Sequence, residues 1–230
     1  MIEAVIFDLD GVLLDTEELW DEVRESLTRE RGGSWSDRAQ ADMMGMSSTE
    51  WSRYMHDVLG LAEPPEEISR EVVHRMLDRY AERLPLIDGA IEAVEHVAAR
   101  WPLGLASSSN RELIDRALEV SGLARYFRAT VSSEEVERGK PAPDVYLDAA
   151  RRLSVEPARC AAVEDSASGI RSARDAGMRV VAIPNAAFPP PREALALADV
   201  VLDSIVELGP DSVIETERLE GEQGSSRHAP

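Results

Sequence analysis

Cysteine, lysine and long apolar runs are scarce in this chain of 230 residues. The single cysteine, Cys160, excludes a disulfide within the chain. No apolar stretch approaches the roughly 20 residues that a membrane-spanning helix needs, and the first residues lack the charged and apolar regions of a signal peptide. These absences favour a cytoplasmic protein.

Basic residues are also fewer than acidic ones. There are 25 lysine and arginine residues against 44 aspartate and glutamate residues, which gives a formal net charge of −19. Phosphate backbones and anionic lipid headgroups repel such a chain, so we expect neither nucleic acid nor a membrane as a partner. The content of hydrophobic residues, 43%, is sufficient for a globular core.

Two acidic residues follow a short apolar run near the start of the sequence. Residues 4–7 (AVIF) are typical of a strand buried on both faces, and Asp8 and Asp10 come directly after them. Ligands bind at this edge of open parallel sheets, outside the carboxyl ends of the strands. Because two carboxylates so close together repel each other, they favour a metal ion, an acid and base pair, or both.

Residues 17–83 have the periodicity of helices and no evident strand. Leu19, Val23 and Leu27 recur at helical spacing, and glycine and proline breaks divide the segment further. We predict three or four helices inserted between the first strand and the next. The alternative is the plain helical half of an α+β protein.

Residues 84–215 alternate between strands and helices, which predicts parallel strands joined by right-handed crossovers. The predicted strands are residues 102–106, 129–131, 160–163, 179–183 and 199–202. The later predicted helices are residues 143–153, 166–176 and 191–198. The pattern predicts a doubly wound, Rossmann-like α/β fold, without the glycine-rich fingerprint of dinucleotide binding. Residues 216–230 have no apolar period, and we predict a disordered tail.

Polar clusters follow two of these strands. Ser107, Ser108 and Asn110 come after the strand at 102–106, where hydroxyls and amides that open a helix bind phosphate oxygens or cap the helix. Glu164 and Asp165 come after the strand at 160–163, where acidic residues hold a metal ion or cap the next helix.

Lys140 is the only lysine of the sequence and lies in the segment Gly139-Lys140-Pro141-Ala142-Pro143. Since arginine fills every other basic position, this site favours a compact ammonium over a flat guanidinium. Such a point charge suits both a nucleophilic carboxylate and a transferring phosphoryl group. The alternative is a chance survivor of a bias toward arginine.

These four motifs, each after a predicted strand, resemble those of the haloacid dehalogenase-like hydrolases. The resemblance runs from Ile2 to about Leu208 and is greatest to the subgroup with an α-helical cap, which contains β-phosphoglucomutase and small sugar-phosphate phosphatases. It implies a catalytic core of residues 1–16 and 84–215 and a helical cap of residues 17–83.

The resemblance also implies a role for each motif residue. Asp8 would be the nucleophile that forms an aspartyl-phosphate, Asp10 the general acid and base, and Lys140 the catalytic cation. The metal, Mg²⁺, would be held by Asp8, Asp10, Glu164 and Asp165, with the backbone carbonyl as the Asp10 ligand and Glu164 as a ligand or a support. The substrate would contact Ser107, Ser108, Asn110, Trp20 and Ser48.

The cap departs from the mutase pattern. Trp20 and Ser48 stand where the mutase has a histidine and an arginine, and the cap contains no lysine. We therefore predict a Mg²⁺-dependent phosphatase for a small phosphorylated metabolite, with a sugar or polyol phosphate favoured, in a monomer or weak dimer. A β-phosphoglucomutase-like phosphotransferase and a non-catalytic protein that binds a phosphorylated ligand remain alternatives.

Overall fold

The centre of the molecule is a parallel β-sheet. A computed structural model describes residues 1–36, 38–44, 46–185 and 189–214. These residues form a six-stranded sheet in the order β3-β2-β1-β4-β5-β6. The strands are β1 (Ala4–Phe7), β2 (Leu103–Ser107), β3 (Phe127–Ser132), β4 (Cys160–Glu164), β5 (Arg179–Ala182) and β6 (Val200–Val201). The predicted tail, residues 216–230, lies outside the described residues.

The central strand, β1, is covered on both faces. Its four residues are fully buried, with Val5 and Phe7 in the core on one face and Ala4 and Ile6 in the core on the other. A strand with apolar side chains on both sides is stable only when helices cover both faces of the sheet. The doubly wound, Rossmann-like α/β fold predicted from the sequence is therefore confirmed.

Helices fill the connections between the strands. Among the described residues, four helices lie in the segment predicted to be an inserted helical cap between β1 and β2: α1 (Glu17–Glu30), α2 (Ala39–Met43), α3 (Ser48–Asp57) and α4 (Pro65–Glu82). The others are α5 (Ala90–Ala98), α6 (Arg111–Ser121), α7 (Asp144–Leu153), α8 (Ala167–Asp175) and α9 (Arg192–Leu195). In the part of the chain that the structure describes, no helix has the length and apolar character to cross a membrane.

Helix α9 is shorter than the predicted helix at 191–198. The backbone N–H of Leu197 donates to the carbonyl of Ala194, and that of Ala198 donates to Leu195. These bonds reach back three residues, so the chain tightens into turns directly after Leu195.

The topology brings three of the predicted polar clusters to one edge of the sheet. β1 lies between β2 and β4, and residues Phe7 and Val163 are paired in parallel register. Asp8 therefore emerges beside Glu164 and Asp165, at the point where the strand order reverses. This crevice is where doubly wound sheets bind their ligands.

Candidate active site

Asp8 and Lys140 form a buried ion pair at the carboxyl end of β1. Lys140 Nζ lies 2.9 Å from Asp8 Oδ1, and the two residues are only 4% and 7% exposed. Burial and the neighbouring carboxylates raise the pKa of Asp8, while Lys140 opposes that increase. Burial alone would lower the pKa of Lys140, but Asp8 and Glu164 together raise it above its usual value. The Lys140 ammonium therefore stays charged beside Asp8.

Glu164 fixes the lysine in place. Its Oε1 accepts hydrogen bonds from Lys140 Nζ at 2.6 Å and from the hydroxyl of Tyr146 at 2.8 Å. Its Oε2 accepts from the backbone N–H groups of Asp165 and Ser166. In α8, a Cβ added to Gly169 would collide with this carboxylate. These contacts fix the carboxylate of Glu164, which in turn positions the ammonium of Lys140.

A cluster of buried carboxylates suits a divalent cation. Oxygen atoms of Asp8, Glu164 and Asp165 lie within 4.8 Å of one another. Burial, and then the charges of Glu164 and Asp8, raise the pKa of Asp165 well above its usual range. Gly11 makes room for this carboxylate, because an added Cβ would collide with Asp165. A pure oxygen donor set of this kind fits a hard ion such as Mg²⁺.

Asp10 is held by three hydrogen bonds. Its Oδ1 accepts from Thr16 Oγ1 at 2.6 Å and from Trp20 Nε1 at 3.4 Å, and its Oδ2 accepts from Ser109 Oγ at 2.6 Å. Its carboxylate is not one of the three whose oxygen atoms lie within 4.8 Å of one another.

The serines that follow β2 make different contacts. Ser107 is fully buried, and its hydroxyl accepts a hydrogen bond from the backbone N–H of Ser109 at 3.0 Å. Ser108 and Ser109 line a cavity together with Asp8, Asp10, Lys140 and Asp165. Ser109, which sequence analysis did not single out, is the one that contacts Asp10. The sequence feature that could have identified Ser109 is its position two residues after Ser107, in the same polar cluster at the end of the strand.

The cavity is closed over by the helical segment. Its volume is about 60 Å³, and Glu17, Trp20, Arg24 and Trp51 line its far side. Trp20 and Trp51 pack with ring centroids 6.0 Å apart. Ligand pockets typically measure about 300–1,000 Å³. A sugar phosphate is larger than this cavity, so we expect the helices to move away from the sheet when one binds.

Ser48 and Asn110 lie at a different cavity. Asn110 Nδ2 donates to Glu134 Oε1 at 2.7 Å, and Ser48 Oγ donates to the same oxygen at 3.2 Å. This second cavity lies beside α3, α4 and α6, and its lining includes Ser48, Asn110 and Glu134 but not Asp8. The structure thus brings Trp20, but not Ser48 or Asn110, into the cavity with the carboxylates.

Two residues of α1, Glu17 and Arg24, belong to the site although sequence analysis missed them. Burial, followed by the charge of Asp10, raises the pKa of Glu17 to about 7. Burial lowers the pKa of Arg24 to about 10, against the opposing effect of Glu17. The signal was their spacing: positions 17, 20 and 24 share one face of a helix, and Trp20 was already a candidate.

Comparisons with known proteins agree with this geometry. The family model described as haloacid dehalogenase-like hydrolase matches residues 5–183. Hexitol phosphatase B of Escherichia coli K12 is 35% identical, over 90% of this chain and 94% of its own length. A phosphorylated carbohydrates phosphatase of Thermotoga maritima is 34% identical, over 77% of this chain and 82% of its own.

A solved structure shows the same fold with a sugar bisphosphate. CbbY from Rhodobacter sphaeroides, in complex with xylulose-1,5-bisphosphate, superposes with a TM-score of 0.82 at 29% identity. The match covers 93% of this chain and 99% of that one.

Proposed function

This chain belongs to the haloacid dehalogenase-like hydrolases, and we propose that it hydrolyses a small sugar or polyol phosphate through an aspartyl-phosphate on Asp8. The observation that carries the proposal is the buried contact of 2.9 Å between Asp8 and Lys140, beside Asp165. A carboxylate with an ammonium at this distance can attack a phosphoryl group while the positive charge offsets the charge of its oxygens.

Members of this family that act as phosphatases generally use a divalent metal, and we propose Mg²⁺ here. Asp8, Asp165 and the backbone carbonyl of Asp10 would hold it, with Glu164 as the support of Lys140 rather than a ligand. When bound, Mg²⁺ would neutralise charge on the phosphoryl oxygens and on the clustered carboxylates. Lys140 supplies the second positive charge from the protein itself.

Asp10 is the proposed general acid and base. Donors from Thr16 and Ser109 fix both of its oxygens beside the cavity. It would first give a proton to the leaving alkoxide and then take one from the water that attacks the aspartyl-phosphate, so one carboxyl group serves both half-reactions. Ser108 would bind the phosphate oxygens from the cavity wall, and Ser107, buried behind it, would hold the turn after β2 through its bond to the backbone N–H of Ser109.

We further propose that residues 17–83 act as a cap over a core of residues 1–16 and 84–215. The relatives named for hexitol and carbohydrate phosphates support a sugar or polyol as the leaving group. Trp20 and Trp51 support it as well, because indole rings stack on the apolar faces of such chains.

The first experiment measures phosphate release from a panel of sugar, polyol, glycolate and nucleoside monophosphates, with and without Mg²⁺. We expect release that requires both Mg²⁺ and Asp8, so the Asp8→Asn variant should fall to background. The exposed Asp175→Asn variant is the matched control and should keep the full rate.

A second readout tests the intermediate. Acid quenching during turnover should leave one phosphoryl group on the peptide that contains Asp8, and none in the Asp8→Asn variant. If the protein is folded and loaded with Mg²⁺ but releases no phosphate from any compound, the phosphatase proposal is wrong. Phosphoryl transfer to a second sugar phosphate, without release, would instead identify a mutase.

A further inference from the structure

Arg24 is a buried cation on the wall of the active-site cavity. It is 8% exposed, it lies among the residues that line the cavity, and its Nε has no hydrogen-bond partner among the described residues. Burial removes the hydration of the guanidinium, and the charges of Glu17, Asp10 and Asp21 offset that loss in part. The Nε–H that has no acceptor is the part of this cation that remains for a ligand.

Its surroundings hold the guanidinium in place but leave its Nε–H without an acceptor among the described residues. The guanidinium carbon lies 4.5 Å from the ring centroid of Trp20 and 4.9 Å from that of Trp51. Aromatic faces attract the cation and restrict its motion, yet they accept no directed hydrogen bond from its edge. The Nε–H edge of the guanidinium therefore stays available for an acceptor in the cavity.

The position of Arg24 identifies which part of a substrate it faces. Trp20 contacts both Asp10, through its Nε1, and the guanidinium of Arg24, through its ring face. Asp10 is the proposed acid for the leaving oxygen, whereas Asp8 and Lys140 face the phosphoryl group. Arg24 thus lies on the side of the leaving group, away from the phosphoryl group that is transferred.

We propose that Arg24 binds a second anionic group, a carboxylate or a phosphate, on the leaving group of the substrate. This assignment rests on the proposed phosphatase function and narrows its substrate to a sugar or polyol phosphate whose carbon chain carries another negative charge. A planar guanidinium pairs with either oxyanion through two parallel hydrogen bonds. Arg24 is then a specificity-determining residue, distinct from the groups that carry out phosphoryl transfer.

The test compares three substrates that share one carbon skeleton. Glucitol 6-phosphate has an uncharged far end, gluconate 6-phosphate has a carboxylate there, and glucitol 1,6-bisphosphate has a phosphate. We expect kcat/KM to be at least about tenfold higher for one or both anionic compounds, through a lower KM. Which of the two is preferred separates a carboxylate from a phosphate.

The Arg24→Gln variant should bring that ratio close to one, mainly by raising KM for the anionic compounds. Arg24→Lys keeps the charge without the fork and should retain part of the ratio, which provides a second variant if Arg24→Gln does not fold. Arg29→Gln, on the exposed face of the same helix, is the matched control and should leave the ratio unchanged. The inference is wrong if the unmodified protein shows no preference for the anionic compounds, or if the Arg24 variants keep that preference in full.

A binding measurement separates this inference from the proposed function. Calorimetric titration of Asp8→Asn with gluconate 6-phosphate and glucitol 6-phosphate needs no turnover. Tighter binding of gluconate 6-phosphate than of glucitol 6-phosphate supports the anion site even if no substrate is hydrolysed. The double variant that carries both Asp8→Asn and Arg24→Gln should lose this difference in affinity. Equal affinities would overturn it, even if the protein proves to be an active phosphatase.

Discussion

Lys140 is the residue at which charge and shape are most tightly constrained. Its Nζ has Asp8 at 2.9 Å, Glu164 at 2.6 Å and the ring of Tyr146 at 5.1 Å. A guanidinium is wider than an ammonium, so an arginine here would displace at least one carboxylate. The chain uses arginine everywhere else, which fits a position where arginine cannot function.

We therefore predict that Lys140→Arg lowers kcat by about 10²–10³-fold, the range seen when one preorganised donor at developing charge is lost. Overpacking should also lower the free energy of unfolding by about 1–3 kcal/mol. Steady-state kinetics and thermal unfolding measure the two effects. The reverse change at a nearby exposed site, Arg138→Lys, is the control. A Lys140→Arg variant with kcat within about threefold of the unmodified protein would contradict the role of the ammonium.

Single residues also show what the sequence could reveal of the site. The motifs placed Asp8 and Asp165 at one edge of the sheet because each follows a strand and parallel strands end at one edge, and Lys140 reaches the same edge from the loop between β3 and α7. They did not predict Arg24 or Ser109, since these residues reach the cavity through the angle at which α1 lies and the turn after β2. Nor did they predict that Ser48 would contact Glu134, 86 residues away in the sequence. Side-chain direction at that distance depends on packing that no local pattern encodes.

At the scale of elements, Glu134 joins the helical cap to the sheet. Its carboxylate accepts from Ser48 at the start of α3, from Asn110 beside α6, and from the backbone N–H of Arg111 at 2.9 Å. The bond from Ser48 alone connects to the cap. Since the cavity of about 60 Å³ must enlarge to admit a sugar phosphate, this bond opposes the opening movement.

Removing it should favour the open form. We predict that Ser48→Ala increases the population of open molecules by about fivefold, the value of one net hydrogen bond of about 1 kcal/mol. Opening exposes Trp20 and Trp51, which are 6% and 2% exposed in the closed form, so acrylamide should quench tryptophan fluorescence more efficiently. Ser26→Ala, which removes an exposed bond to Glu30 within α1, is the control. Equal quenching in Ser48→Ala and the unmodified protein would show that the hydrogen bond between Ser48 and Glu134 does not stabilise the closed form.

The elements themselves were more predictable than the contacts between them. The apolar runs placed β1 and β4 to within a residue, because buried parallel strands need apolar side chains on both faces. Helix α9 was predicted too long, since the alanines that follow it suit a helix but form turns instead. The bounds of core and cap remain predictions, because no single contact defines where one body of the protein ends.

For the whole molecule, the dominant physical fact is the excess of negative charge. A formal net charge of −19 destabilises the compact state by self-repulsion, and Asp8, Glu164 and Asp165 bring three acidic groups together in a buried site. Any salt screens the surface charges, but only a cation that enters the cluster neutralises the buried ones. General screening and specific binding are therefore separable by experiment.

We predict that Mg²⁺ raises the midpoint of thermal unfolding when ionic strength is held constant with NaCl. At a concentration about 100 times its dissociation constant, binding to the folded state alone contributes about 2.7 kcal/mol. For a chain of this size, that corresponds to an increase of about 5–10 °C, which EDTA should reverse. Asp165→Asn should abolish the increase, because it removes one of the three buried carboxylates, whereas the exposed Asp175→Asn should keep it. An increase that NaCl reproduces, or that survives in Asp165→Asn, would assign the effect to the surface and leave the buried cluster without a metal.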